Sequence, residues 1–210
     1  MEKMAATHRD LRLLYSWVGF LAFFFLTEYA IPAESCYNVH IFLDDMIPFC
    51  EWFVIPYGLW YLLIVISLGY FLLLDASSFK ALQIYIIITQ VIAVTVYILF
   101  PTRQELRPEV FPRDNFLTDC VALLYRIDTN TGVCPSLHVA YSLGIASVWL
   151  RKKDAHWLWK SFVVAAVILI CLSTMFIKQH SAVDFFAALP VCMVAEFLVF
   201  YIRKKVKSSG

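Results

Sequence analysis

The chain has 210 residues, 61% of them hydrophobic and 16% charged, and its mean hydropathy is +0.74. That composition excludes an ordinary soluble domain and assigns the chain to a lipid bilayer. A formal net charge of +1 gives no electrostatic reason to expect a nucleic acid as partner.

A span places roughly 20 apolar residues across about 30 Å of hydrocarbon, and six windows read as spans. The first covers residues 13–32. Its apolar run is long, and Glu28 and Tyr29 stand where a cleaved leader needs small residues, so it reads as a span and not as a signal. Residues 33–51 carry acidic and aromatic side chains (FLDDMIPFCEWF) and are expected at the interface as a short amphipathic helix. Spans two and three cover 53–74 and 81–100. The connection 101–134 is the longest, and the charges and turn residues of PTRQELRPEVFPRDN and RIDTNTG exclude it from hydrocarbon. Spans four, five and six cover 135–150, 156–177 and 183–202. The expected fold is all-α, a six-transmembrane-helix bundle forming one integral membrane domain over 1–210.

Charge sets the expected orientation. Lys3, Arg9, Arg12, Lys80, Arg151, Lys152, Lys153, Lys160, Arg203, Lys204, Lys205 and Lys207 would share one side, against Arg103, Arg107, Arg113, Arg126 and Lys178 on the other. The excess of positive charge in cytoplasmic loops then puts both termini in the cytoplasm of a cell-membrane protein. Three polar clusters fall together on the outer face: Arg107-Pro108 after span three, Pro135-Ser136-Leu137-His138 opening span four, and Lys178, His180 and Asp184 at the junction of spans five and six.

His180 and Asp184 are four residues apart, so a helix that begins by His180 puts them on one face and lets the carboxylate accept from the imidazole. A ring fixed in that way, with its second nitrogen free, is a nucleophile or base. Pro135 suits a first helical turn, and Ser136 adds a hydroxyl beside unpaired backbone N–H groups, so the start of span four is a natural phosphate cradle. His138 stands beside it as a general acid. The histidines and carboxylates lack the clustered spacing of a metal site, and no cofactor is implied.

The segment CPSLHVAYS, followed about forty residues later by STMFIKQHSAVD, resembles motifs two and three of the type 2 phosphatidic acid phosphatase superfamily, whose six-helix fold is shared with vanadium haloperoxidases. The likeness covers about 81–202, the expected catalytic core. It implies His180 as nucleophile on phosphorus, Asp184 as its orienting partner, His138 as the acid that protonates the leaving oxygen, and Ser136 as a phosphate ligand. It also matches Ser173 to the serine that opens motif three and Arg107-Pro108 to the end of motif one. Two cations of the pattern are replaced, a motif-one lysine by Phe100 and a motif-three arginine by Thr174. Lys178 and Arg103 are expected to supply the missing charge. The STM sequence also resembles the inositol phosphorylceramide synthase branch, which implies transfer to an alcohol as the alternative to hydrolysis. The expected partner is a lipid phosphate or pyrophosphate within the bilayer; its headgroup, its tail and the oligomeric state stay open.

Four cysteines fall in the outer loops, in two pairs fourteen residues apart, so Cys36 with Cys50 and Cys120 with Cys134 are candidate disulfides beside the alternative of free thiols. The same cysteines leave a membrane thiol oxidoreductase open, without a C-x-x-C pair to support it. A transporter is the other class left open, with Glu28, Gln90 and Glu196 as intramembrane polar residues and Pro56 and Pro190 as kinks.

Overall fold

A computed structural model describes residues 8–201. Among the residues used above for orientation and boundaries, Lys3, Arg203, Lys204, Lys205, Lys207 and Ile202 lie outside the described residues, as do the side chains of Arg9 and Glu28. The short α1 (His8–Leu11) leads through a 3-10 turn into α2 (Tyr15–Ala30). Then come α3 (Phe42–Met46), α4 (Val54–Leu74) and α5 (Ala76–Leu99), and α6 (Phe116–Ile127) within the long connection. The chain ends in α7 (Leu137–Arg151), α8 (Trp157–Phe176) and α9 (Ala182–Glu196), which runs on into a π-helical turn, Phe197–Tyr201.

Polar side chains set where these helices begin. Asp75 accepts from the Ser78 N–H at 3.1 Å to start α5, Asn115 accepts from the Leu117 and Thr118 N–H groups to start α6, and Ser136 and Ser181 cap α7 and α9. Among the described residues, four helices are long and apolar enough to cross a membrane: Glu51–Leu74, Ala76–Leu99, Trp157–Phe176 and Ala182–Phe200. The helices near the first and fourth expected spans are present but shorter, 16 residues in α2 and 15 in α7. At 1.5 Å per residue these are about 24 and 22 Å long.

Packing accounts for the shortness of α7. It is the central helix, in contact with α4, α5, α8 and α9, and it stops where Lys152 turns to bind Asp75 at 2.8 Å and Asp154 at 3.0 Å. Its neighbours approach closely because Gly144 has no side chain: a Cβ there would lie 2.5 Å from the ring of buried Tyr85 on α5. One apolar core runs through α4, α5, α7, α8 and α9.

The two ends of the bundle differ. At the end where α7 and α9 finish, Arg151 pairs with Glu196, Lys152 with Asp75, and Lys80 on α5 with Asp10 at 2.9 Å. At the other end the connections knit together. β1 (Tyr37–Asn38) and β2 (Thr102–Arg103) form a two-residue parallel ladder that joins the connection after α2 to the long one after α5. The buried Glu51 carboxylate receives Arg113 Nε at 2.6 Å and NH2 at 2.7 Å, and the Asn115 amide at 3.1 Å. Phe53 stacks on Phe176 at 4.3 Å, and the Cys50 N–H donates to the Phe176 carbonyl.

All six cysteines are unpaired, which corrects the candidate disulfides Cys36–Cys50 and Cys120–Cys134. The folded connections give these side chains different neighbours. The Cys36 thiol turns to the Pro32 carbonyl at 3.7 Å, whereas Cys50 is tied through its N–H to the end of α8. Cys120 sits on α6, and the Cys134 N–H donates to Thr102 Oγ1 at 3.2 Å.

Candidate active site

The turn between α8 and α9 carries His180. α8 ends because Lys178 adopts a left-handed conformation, φ 55°, while the N–H groups of Gln179 and His180 both fold back onto the Thr174 carbonyl at 3.0 and 2.9 Å. α9 then begins at Ala182 with Ser181 as its cap, so His180 precedes the helix. The expected shared helical face is thereby corrected, but the pair survives by another route. Asp184 is the third residue of α9, and its Oδ2 reaches back across the cap to accept from His180 Nδ1 at 3.1 Å and from the Ser181 N–H at 3.0 Å. A carboxylate accepts only, so Nδ1 carries the proton and Nε2 is the free ring nitrogen.

His138, in the first turn of α7, stands with its ring centroid 5.6 Å from that of His180, edge to face. The two helix starts are locked together: the Ser136 N–H donates to the backbone carbonyl of Asp184 at 3.1 Å, and the Tyr97 hydroxyl donates to the Pro135 carbonyl at 2.9 Å. Two aromatic rings of α4 hold His138 in place, Trp60 at 4.1 Å and Tyr57 at 4.5 Å between centroids. His138 Nε2 is buried and unpaired among the described residues.

Both histidines line a cavity of about 640 Å³. Its long wall is apolar, with Trp17, Phe20 and Phe24 from α2 facing Ile64, Val65 and Leu68 from α4. Its other end is polar, made by Asp128, Thr129, Thr131 and Gln179 beside the histidines.

The sequence-predicted phosphate ligands are arranged differently. The first two contacts of Arg107 are backbone carbonyls, Tyr125 O at 3.0 Å and Asp128 O at 2.6 Å; its third is Gln179 Oε1 at 2.9 Å. Its guanidinium also lies 4.3 Å above the Tyr125 ring. Burial holds its pKa below the usual arginine value, opposed by Tyr125 and Asp128. Lys178, the expected substitute for the missing arginine, donates through Nζ to the Asp44 carbonyl at 2.7 Å and to the Ile47 carbonyl. Burial lowers its pKa, while Asp44 and Asp45 oppose that. Arg103 is paired with Glu105 at 2.9 Å on the β2 edge. Ser173 Oγ donates to the Ile170 carbonyl at 2.6 Å inside α8, and Ser136 Oγ faces the Val139 N–H. None of these five lines the cavity. The Lys178 ammonium is thus taken up by main-chain carbonyls and the Arg103 guanidinium by Glu105, and neither faces the cavity.

No protein-family model, curated protein or solved structure matches this chain. Among the described residues there is also no group of His, Cys, Asp and Glu able to hold a metal ion.

Three residues at the site were not singled out in the sequence. Asp44 of α3 is buried and accepts from Ser181 Oγ at 2.6 Å, the Ala182 N–H at 2.7 Å and the Ile41 N–H at 2.9 Å, so it clamps the start of α9 from the connection between α2 and α4. Gln179 donates to the Asp128 and Thr129 carbonyls at 3.2 Å, and Asp128 accepts from the Tyr57 hydroxyl at 2.8 Å. The adjacent carboxylates of FLDDM, set in an apolar stretch, were the signal available for Asp44, since an ionisable group at a membrane is expensive unless it has partners.

Proposed function

We propose that this chain is an integral membrane enzyme that hydrolyses a lipid phosphate or pyrophosphate ester through a phosphohistidine at His180. The observation that carries the reading is the His180–Asp184 pair, 3.1 Å apart, opening with His138 into one end of a long apolar cavity. His180 Nε2 attacks phosphorus and the bond from phosphorus to the leaving oxygen breaks. His138 gives that oxygen its proton, and Asp184 stabilises the imidazolium. Water then attacks phosphorus, the phosphorus–nitrogen bond breaks with its electron pair returning to His180 Nε2, His138 takes the proton of the water, and phosphate leaves, or a phosphomonoester where the phosphate carries a second substituent. The positive end of α7, where His138 lies, favours the developing negative charge. Transfer to a lipid hydroxyl in place of water uses the same first step.

The apolar wall suits a hydrocarbon chain held within the bilayer, which supports a membrane lipid as the carrier of the reacting phosphate. The six-helix arrangement of the type 2 phosphatidic acid phosphatase kind belongs to this proposal, as does a site on the outer face with both termini cytoplasmic, which rests on the distribution of Lys and Arg. The test is purified protein with a panel of lipid phosphates. Phosphate release should stop in His180→Ala, and an acid-labile, alkali-stable phosphoprotein should accumulate in the wild type and be lost in that variant. Turnover that survives His180→Ala overturns the mechanism.

A further inference from the structure

The charges around the cavity are unusual for a site that binds a phosphate. Among the described residues no lysine or arginine lines it, and the charged group that does is a carboxylate, Asp128. Arg107, directly behind Asp128, directs its terminal nitrogens to the Tyr125 and Asp128 carbonyls and to Gln179. One oxygen of Asp128 accepts from Tyr57, whose ring packs on His138, so the carboxylate lies close to the reacting end of the cavity. A carboxylate offers about four acceptor positions, and one phenol hydroxyl fills one of them. A bare phosphomonoester brings up to two negative charges toward such a group, and like charges at close range disfavour the ionised forms of both. A phosphate that also carries an O–H or N–H donor brings less charge and a partner for the carboxylate.

We propose that Asp128 is a headgroup-selecting residue: the cavity takes lipids whose phosphate bears a hydrogen-bond-donating headgroup, hydroxylated or ammonium, in preference to lipids that end in a bare phosphomonoester. This rests on the phosphoryl chemistry proposed above for the meaning of the site, but selection itself is a binding property and is measured without turnover.

The experiment uses the full chain carrying His180→Ala, in detergent, with four lipids of identical acyl chains: phosphatidate, phosphatidylglycerol, phosphatidylethanolamine and phosphatidylcholine. Affinities are read by native mass spectrometry. The lipid with hydroxyls or the one with the primary ammonium should bind about 10-fold more tightly than phosphatidate, and the two arms show which donor is used. Phosphatidylcholine, cationic but without an N–H, should lack the advantage. Adding Asp128→Asn should bring the ratio to phosphatidate close to one. Tyr57→Phe, which keeps the carboxylate and removes its competing donor, should preserve or strengthen the preference, and it tests the idea even if Asp128→Asn fails to fold. Equal binding of phosphatidate and the donor-bearing lipids, a preference that persists in Asp128→Asn, or one lost in Tyr57→Phe overturns the proposal. Absence of turnover in the wild type, with the binding preference intact, would instead remove the proposed enzymatic function and leave the selection standing.

Discussion

Asp184 uses one oxygen for two jobs, holding the His180 ring and capping the helix that carries Asp184 itself. Replacing it with asparagine keeps the shape and removes the charge that stabilises the imidazolium. Asp184→Asn should therefore lower kcat by roughly 100- to 10,000-fold, with a much smaller change in KM, as steady-state kinetics on the best lipid substrate would measure. Cys134 lies against the same carboxylate. Burial, with Asp184 adding to it, pushes the Cys134 thiol up to about 12 from an ordinary 9.0. The raised value means that the folded protein favours the neutral thiol. That contribution to stability is complete below 9.0 and is lost as the pH climbs toward 12. Cys134 should accordingly resist alkylation at pH 8 in the folded protein and react once it is unfolded in detergent, as peptide mass spectrometry would report. That His180 meets Asp184 close to His138 was legible from spacing, although the pair forms across a helix cap and not on one helical face, whereas Ser136 caps α7 and does not line the cavity. The partners of Arg107 and Lys178 were not legible, because a sequence supplies a cation without saying which carbonyls it will meet.

At the level of elements, the four membrane-length helices were legible from their apolar runs, whereas α2 and α7 came out shorter than the spans expected there, and the small α3 was legible only as an interfacial segment without a role. Its role is mechanical. Asp44 takes up the Ser181 hydroxyl and the Ala182 N–H, and Lys178 binds the Asp44 and Ile47 carbonyls, so α3 and the α8–α9 turn grip each other from both sides. The buried carboxylate is also favourably placed at the positive end of α9. Asp44→Ala leaves those donors unpaired and should cost about 1–3 kcal/mol, while Asp44→Asn should recover part of the loss; thermal unfolding in detergent would rank the three proteins. The crossing of α5 and α7 makes a second demand. Because a Cβ at Gly144 would meet the Tyr85 ring at 2.5 Å and that ring is fully buried, Gly144→Ala should destabilise by about 1–3 kcal/mol through overpacking, and Tyr85→Leu in the same chain should relieve part of it. Periodicity alone could not reveal this contact, which depends on which two helices cross and at what height.

Across the whole molecule, one end is held by ion pairs and the other by hydrogen bonds to main chain together with the Arg113–Glu51 and Arg103–Glu105 pairs, with the cavity between α2 and α4 linking the site to the apolar flank of the bundle. The cavity was not legible in the sequence, because α2 looks like any other span until its distance from α4 is known. Several of its wall residues, such as Phe25 and Val65, are largely exposed, so the wall is continuous with the surface that four membrane-length helices present. That continuity predicts a difference between lipid and soluble substrates. Leu68→Trp places a larger ring in the apolar wall, away from the histidines and from Asp128. If the hydrocarbon chain of the substrate occupies this wall, the variant should raise KM for a long-chain lipid phosphate by about 10-fold or more, as expected from losing the burial of several methylene groups at about 0.8 kcal/mol each. Turnover of a short water-soluble phosphate ester should stay within about twofold, since the chemistry of His180, His138 and Asp184 is untouched. Equal losses on both substrates would mean that the wall supports the fold and does not hold the lipid.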